Sequence, residues 1–293
     1  MSGYTDGTLI PLATPDGQAL LAAATDAGTC TYSRLAPYWA PQVHRRRCGL
    51  RSAAVVLNTL AEAEVFAEDG WFDAAAVAGN TGGAAAGNAT NDGVGMSGTD
   101  SDAGEPPPPP LPPPSPPPPS PPVRPPLPLA VAAAATAGVT AEAVDAQGMT
   151  LAQLGALLSA TITTVGIPPP HPPPRGPRSP FPAPLTVTVT YADADTDGWG
   201  GWPAALRNAA CDAAALLVNY EMRVAGQGDA LGGHISPVAA WHPPTDRLLI
   251  MDVWPATGPV WVPTGVLAAA AATADKGSGR SRGCVALTLG GRG

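Results

Sequence analysis

The sequence predicts an α+β chain. Helical periodicity dominates its first half, and β-rich runs separated by turn signals dominate its second. Not all of the 293 residues belong to that fold, because the 38 prolines are bunched rather than spread, while glycine numbers 34.

The elements follow in order. Pro15-Asp16-Gly17 is a turn signal, and residues 18–27 then read as helix. Residues 48–62 form a stronger helix, with Leu50, Ala53, Ala54, Leu57 and Ala61 recurring on one face. Residues 82–105, rich in Gly, Ala, Asn, Asp and Ser, are expected to be disordered. Residues 106–128 are nearly pure proline, which fixes φ and removes the amide donor, so polyproline II is expected there. A second Pro-rich insert spans 168–184, and between the inserts residues 150–158 read as a short helix. Residues 185–191 alternate Val and Thr as a strand does, and 203–211 read as helix. Strands are expected at 214–220, 234–241, 247–254 and 283–289, the middle two joined by the turn at 242–246. The expected organisation is a helical segment 1–83, a disordered Gly/Pro-rich insert 84–145, and a sheet-rich segment 146–293 carrying the second insert.

Bulk properties narrow the function. The apolar fraction is 45%, much of it alanine, and the net charge is −8. That balance does not favour a nucleic-acid partner. Residues 1–9 lack the basic-then-apolar pattern of a secretory signal, and the Ala-rich run 129–139 is too short to span a bilayer. Cys30, Cys48, Cys211 and Cys284 lie far apart with no CxxC spacing, which suits a reducing compartment better than a disulfide framework or a zinc site. A soluble cytoplasmic protein without a membrane partner is expected.

Three residues suggest nucleophilic chemistry. Cys48 opens a helix, where the dipole and free N–H groups favour thiolate, and Arg45, Arg46 and Arg47 before it are expected to push the same way. Read alone, Cys48 also fits a buried small hydrophobe. His234 starts a strand after Gly232-Gly233; alone it fits a structural or surface histidine. Asp252 lies in an apolar run, where a carboxylate must be paired; alone it fits a loop cap. A turn centred near Pro243 would set His234 and Asp252 opposite each other across the hairpin, within ~5 Å between Cβ atoms. Cys, His and a carboxylate together have the logic of acyl transfer. Gln42, six residues before Cys48, is a candidate oxyanion donor beside the Cys48 backbone N–H, unless it is an ordinary surface Gln.

These residues carry a resemblance. Gln42, Cys48-Gly49-Leu50 and Val55-Val56-Leu57-Asn58-Thr59-Leu60 resemble the catalytic cysteine helix of phytochelatin synthases. Leu216-Leu217-Val218-Asn219-Tyr220, Gly232-Gly233-His234-Ile235-Ser236-Pro237, Leu249-Ile250-Met251-Asp252-Val253 and Val260-Trp261-Val262 follow that family in order. The resemblance implies a papain-like fold, with a helical first lobe and an antiparallel-sheet second lobe. It also implies an acyltransferase that takes the γ-glutamylcysteinyl unit of glutathione onto cysteine, releases glycine, and passes the unit to another glutathione or a growing phytochelatin. Cys48 would be the nucleophile, His234 the base and acid, Asp252 the orienter and Gln42 the oxyanion donor. Gly233, Asp275 and Arg282 would bind the γ-glutamyl group. No tightly bound cofactor is implied; heavy-metal ions (Cd, Zn, Cu) would arrive as glutathione-thiolate complexes, a soft-ligand preference. Glutathione and phytochelatin oligomers are the implied partners, with a homodimer and a module docking the Pro-rich tract as further candidates.

Two stretches depart from the family pattern: the basic run Val43-His44-Arg45-Arg46-Arg47, and the short uncharged run Trp254-Pro255-Ala256-Thr257-Gly258 after Asp252. The second keeps alternatives open. One is a glutathione hydrolase giving γ-glutamylcysteine and glycine; others are a general papain-like peptidase and a non-enzymatic Pro-rich interaction protein.

Overall fold

The computed structural model describes residues 9–72, 128–165, 185–194, 201–228 and 232–289. The expected disorder at 82–105, the proline tract 106–127 and the insert 168–184 lie outside the described residues.

A seven-stranded, wholly antiparallel sheet organises the fold, in the order β1-β6-β5-β4-β3-β7-β2. Its strands are β1 (Ile10–Pro11), β2 (Leu185–Tyr191), β3 (Ala215–Glu221), β4 (Gly233–His242), β5 (Arg247–Ile250), β6 (Val260–Pro263) and β7 (Gly283–Leu289). With the helices this makes the chain α+β. Six of the seven strands come from the second half, as the sequence pattern predicts.

One face of the sheet carries α1 (Pro15–Asp26), α3 (Cys48–Ala61) and α6 (Leu151–Val165). Leu50, Leu57, Leu154 and Leu157 pack there on Leu217, Ala239, Leu249 and Val285. The other face carries α7 (Trp202–Asp212) and α8 (Thr264–Ala271), whose Leu206 and Leu267 meet Leu216, Val218, Leu248 and Ile250. Every residue of α3 except Arg51 and Ala61 is buried, so this helix is apolar almost all round because it crosses the core. Its exit is fixed by Asn58, whose Oδ1 accepts from Val65 N at 2.8 Å and Phe66 N at 2.7 Å while Nδ2 donates to Phe66 O at 2.9 Å.

Several expectations change. The segments 1–83 and 146–293 share one sheet and one core, since β1 pairs with β6 and α3 packs on β4. Residues 128–145, assigned to the disordered insert, are folded: α4 (Pro128–Thr136) and α5 (Ala141–Gln147) lie there, and α4 packs on α6. Alanine buries little area but is the strongest helix former, and its small size lets Ala133 and Ala134 sit in the core. Pro128, the last residue of the proline run, opens α4, where its missing N–H costs nothing. The helix expected at 150–158 extends to Val165, and the strand expected at 247–254 stops at Ile250. The short helix α2 (Tyr32–Leu35), β1 and α8 are not marked by sequence patterns long enough to read. Among the described residues, no single helix is long and apolar enough to cross a membrane.

Candidate active site

Cys48 is the first residue of α3 and only 8% exposed. Two devices press this helix end against β4. Ser52 Oγ donates to Ile235 O at 2.8 Å, and Gly49 leaves room where a Cβ would lie 3.3 Å from Ile235 Cδ1 and 3.1 Å from the Met149 sulfur. Ile235 follows His234, so the same contact sets cysteine against histidine.

His234 Nε2 donates to Asp252 Oδ1 at 2.8 Å, with both side chains buried. Nδ1 is the ring nitrogen left for the thiol. Tyr220 and Trp254 stand edge-on to the imidazole, with ring centroids at 5.8 and 6.2 Å. Asp252 is saturated. Oδ1 also accepts from Trp254 N at 2.8 Å and from Ser236 Oγ at 3.5 Å, and Oδ2 accepts from Gln227 Nε2 at 2.5 Å and from Thr257 Oγ1.

The hairpin brings His234 and Asp252 together, but not as a ladder pair. His242 faces Arg247 and Ala240 faces Leu249; then a bulge shifts the register, so that Val238 faces Ile250. The bulged Ala239 gives its carbonyl to Thr31, from N at 2.7 Å and Oγ1 at 3.1 Å, instead of to β5. Continued regularly, that register would set Trp254 opposite His234. The chain leaves the ladder after Met251 N bonds Pro237 O, and the Asp252 side chain then reaches the imidazole from a turn.

Burial pushes the Cys48 thiol up, but the His234 charge, the hydrogen bond to its ring and backbone bonds at Ile235 and Gly49 outweigh it, so the thiol lies below its ordinary value. Burial likewise pushes His234 down, and the charges of Asp252 and Cys48 more than reverse it. Each group thus favours the charged form of the other, the condition for a thiolate–imidazolium pair. The arginine run before Cys48 is not among these causes. Arg47 is taken up by Asp145, at 2.7 Å, and by Asp69, while Arg45 and Arg46 are exposed.

Gln42 is buried rather than on the surface, yet its amide is engaged elsewhere. Nε2 donates to His44 O at 2.9 Å and Arg45 O at 3.0 Å, which uses both hydrogens, and the buried Oε1 has no partner. The oxyanion donor expected of it is therefore not the arrangement in this structure. Gln42 shapes the loop before Cys48 instead, with its N–H bonded to Val253 O at 2.7 Å.

Gly233, Asp275 and Arg282 do meet. Arg282 is 5% exposed and passes against Gly233, where a Cβ would sit 2.9 Å from Nη2. Nη1 lies 3.5 Å from Asp275 Oδ1, and Nη2 donates to Glu221 Oε2 at 2.9 Å. The sequence pattern did not single out Glu221, Gln227 or Thr257. A buried Asp needs local donors, so Ser236 and Thr257 were within reach of that argument; Gln227 and Glu221 come from elsewhere in the chain and carry no local signal.

Comparison with known families decides the affiliation. The phytochelatin synthase family model matches residues 131–284, more than half of the chain. The chain belongs to the phytochelatin synthase family. That matched segment contains His234, Asp252, Asp275 and Arg282, while Gln42 and Cys48 precede it. No curated protein matches the chain. The uncharged run after Asp252 supplies Trp254 N and Thr257 Oγ1 to the Asp252 carboxylate. Among the described residues, no three His, Cys, Asp or Glu side chains are grouped to hold a metal ion.

Proposed function

We propose that this protein is a glutathione γ-glutamylcysteinyltransferase of papain-like architecture, with Cys48, His234 and Asp252 as its triad. The observation that carries the reading is the buried His234–Asp252 contact at 2.8 Å beside a thiol held below its ordinary value at a helix N-terminus. Cys48 attacks the carbonyl between cysteine and glycine in glutathione. His234 gives its proton to the departing glycine amine, leaving a γ-glutamylcysteinyl thioester. His234 then takes a proton from the incoming amine of a second glutathione, whose attack forms the longer peptide and frees Cys48. Asp252 holds the imidazole with Nε2–H turned away from the thiol. The first N–H groups of α3 lack intrahelical partners and are the donors we assign to the oxyanion. Arg282 and Asp275 are assigned to the γ-glutamyl head. In this reading heavy metals enter as thiolate complexes of the peptide substrates, and the role is metal detoxification in the cytoplasm.

Hydrolysis is the second reading, favoured by the lack of charge in 254–258, where an acceptor carboxylate would need a cation. Intact-protein mass spectrometry after incubation with glutathione should find a γ-glutamylcysteinyl adduct on Cys48 that Cys48→Ala abolishes. Full turnover by Cys48→Ala would end the proposal. With glutathione and cadmium, oligomers are expected; γ-glutamylcysteine and glycine alone would establish the hydrolase.

A further inference from the structure

The basic run before Cys48 has an acidic counterpart that the proposed mechanism leaves unused. Glu68 lies in the segment after α3 and is 1% exposed, and its hydrogen bonds run to residues on both sides of Cys48. Its Oε2 accepts from Val43 N at 2.8 Å and its Oε1 from His44 N at 2.7 Å. Arg51, on the first turn of α3, donates from Nε to Oε2 at 3.3 Å. One carboxylate thus ties the turn that delivers the cysteine to the helix that the cysteine opens. The next residue continues the clamp: Asp69 takes Nε2 of His44 at 3.1 Å and Nη1 of Arg47. The platform under both acids is fixed in turn, because Asn58 holds Val65 and Phe66, and the Phe66 and Trp71 rings stack with centroids 5.2 Å apart. A buried carboxylate is costly unless donors complete it, and two of the donors here are main-chain N–H groups, so what Glu68 fixes is backbone.

We infer that Glu68 is a positioning residue for acylation: by holding the backbone at 43–44 it sets the peptide between Arg47 and Cys48, which carries an N–H assigned to the oxyanion. This rests on the acyl-transfer reading above. The line of contacts is short. His44, gripped at its N–H, accepts from Arg47 N at 3.1 Å, and the Arg47 carbonyl accepts from Arg51 N at 2.9 Å. The peptide is therefore held from the turn on one side and from α3 on the other. Gln42 spends both amide hydrogens on the same turn, so the oxyanion depends on main-chain donors and on how accurately that peptide is set. Glu68 is not among the groups that shift the Cys48 thiol, so its effect is on geometry and not on the charge of the nucleophile.

Two reactions of Cys48 separate positioning from general stability: acylation by glutathione, which forms an oxyanion, and alkylation by iodoacetamide, which does not. Both are followed at Cys48 by peptide mass spectrometry in wild type, Glu68→Gln and Glu68→Asp. The glutamine amide has one acceptor oxygen, so one of the two main-chain N–H groups loses its partner. Its limiting acylation rate should fall about tenfold or more, with the half-saturating glutathione concentration little changed. Alkylation, and its pH dependence, should stay close to wild type. Glu68→Asp, with both oxygens on a shorter stem, should recover part of the acylation rate. Equal losses in both reactions, or undiminished acylation in Glu68→Gln, would overturn the inference while leaving the donor reading intact. If Glu68→Gln does not fold, amide exchange in the wild type decides: Val43 and His44 should exchange as slowly as the interior of α3, and rapid exchange would overturn the inference. A wild-type Cys48 that is alkylated but never acylated would bring down the donor reading, and this inference with it.

Discussion

Asp252 and Arg282 are both buried charges a few residues from the same imidazole, and their surroundings are opposite. Asp252 is 0% exposed and every lone-pair direction is met, by a histidine, a glutamine, a threonine, a serine and a backbone N–H. Arg282 is nearly as buried, yet two of its nitrogens, Nε and Nη1, have no hydrogen-bond partner. A group that must hold another side chain in one orientation is completed during folding, so nothing reorganises during reaction. A group that awaits a ligand is left incomplete, and its stabilisation arrives with the ligand. On the proposed function, Asp252 is the positioning group and Arg282 the binding group.

The sharpest way to break that comparison is Asp252→Asn. An amide cannot accept from all four sides; one face would present N–H groups to donors already there, costing about 1–3 kcal/mol in stability. The imidazole would also lose the partner that fixes its tautomer, and acylation of Cys48 should fall by about 10³-fold or more. Stopped-flow acylation and thermal melts of the same variant measure the two losses. Arg282→Leu should behave differently. It leaves Glu221 and Asp275 facing each other uncompensated, and the main effect should be on saturation, with the half-saturating donor concentration rising about 10- to 100-fold and the limiting rate changing less. A larger loss of limiting rate in Arg282→Leu than in Asp252→Asn would dissolve the distinction.

A subtler effect concerns pH. The thiol lies below its ordinary value and the imidazole above its own, so the charged pair exists between the two and activity should follow a broad bell. Activity rises as Cys48 loses its proton on the acid side and falls as His234 loses its proton on the basic side; both limbs belong to the coupled pair. In Asp252→Asn the carboxylate that draws the proton onto His234 is gone, so the basic limb should move to lower pH. A pH–rate profile with an unmoved basic limb would show that Asp252 acts by position alone.

How much of this was legible depends on whether the cause is local. Helix α3 is local: its apolar spacing and its opening cysteine read directly, and the structure begins it at Cys48. The nearness of His234 and Asp252 was legible for a partly mistaken reason. The hairpin is readable from its turn, but the bulged Ala239 bonds Thr31, roughly two hundred residues away in sequence, and no pattern within the hairpin announces it. Gln42 has the right residue type at a suggestive spacing. Where its amide points depends on the two carbonyls of the turn at His44 and Arg45, which composition does not specify. The folded stretch 128–147 was hidden because alanine gives little hydrophobic contrast, although close helix packing is where small side chains fit best.

Asp246, a carboxylate at the tip of the hairpin that precedes Asp252, gives the smallest effect and tests the role of burial. Arg207 Nε and Nη2 each donate to it at 2.7 Å, and Trp241 Nε1 donates at 3.1 Å. The Arg207 bonds, against a smaller opposing effect of burial, hold it down at about 2 from an ordinary value of 3.8. Its side chain is 42% exposed, so solvent screens the pair, and the expected contribution is about 0–1 kcal/mol. Asp246 has φ 47°, a left-handed conformation that asparagine tolerates, so Asp246→Asn removes charge without adding backbone strain. Because the folded-state value is depressed, the stabilisation is fully present above about pH 4 and disappears as pH falls through about 2. Thermal melts of wild type and variant should therefore differ slightly at pH 7 and converge near pH 2, with acylation of Cys48 unchanged at neutral pH. A loss of acylation comparable to that of Asp252→Asn would mean that the hairpin tip, and not the saturated carboxylate, sets the imidazole in place.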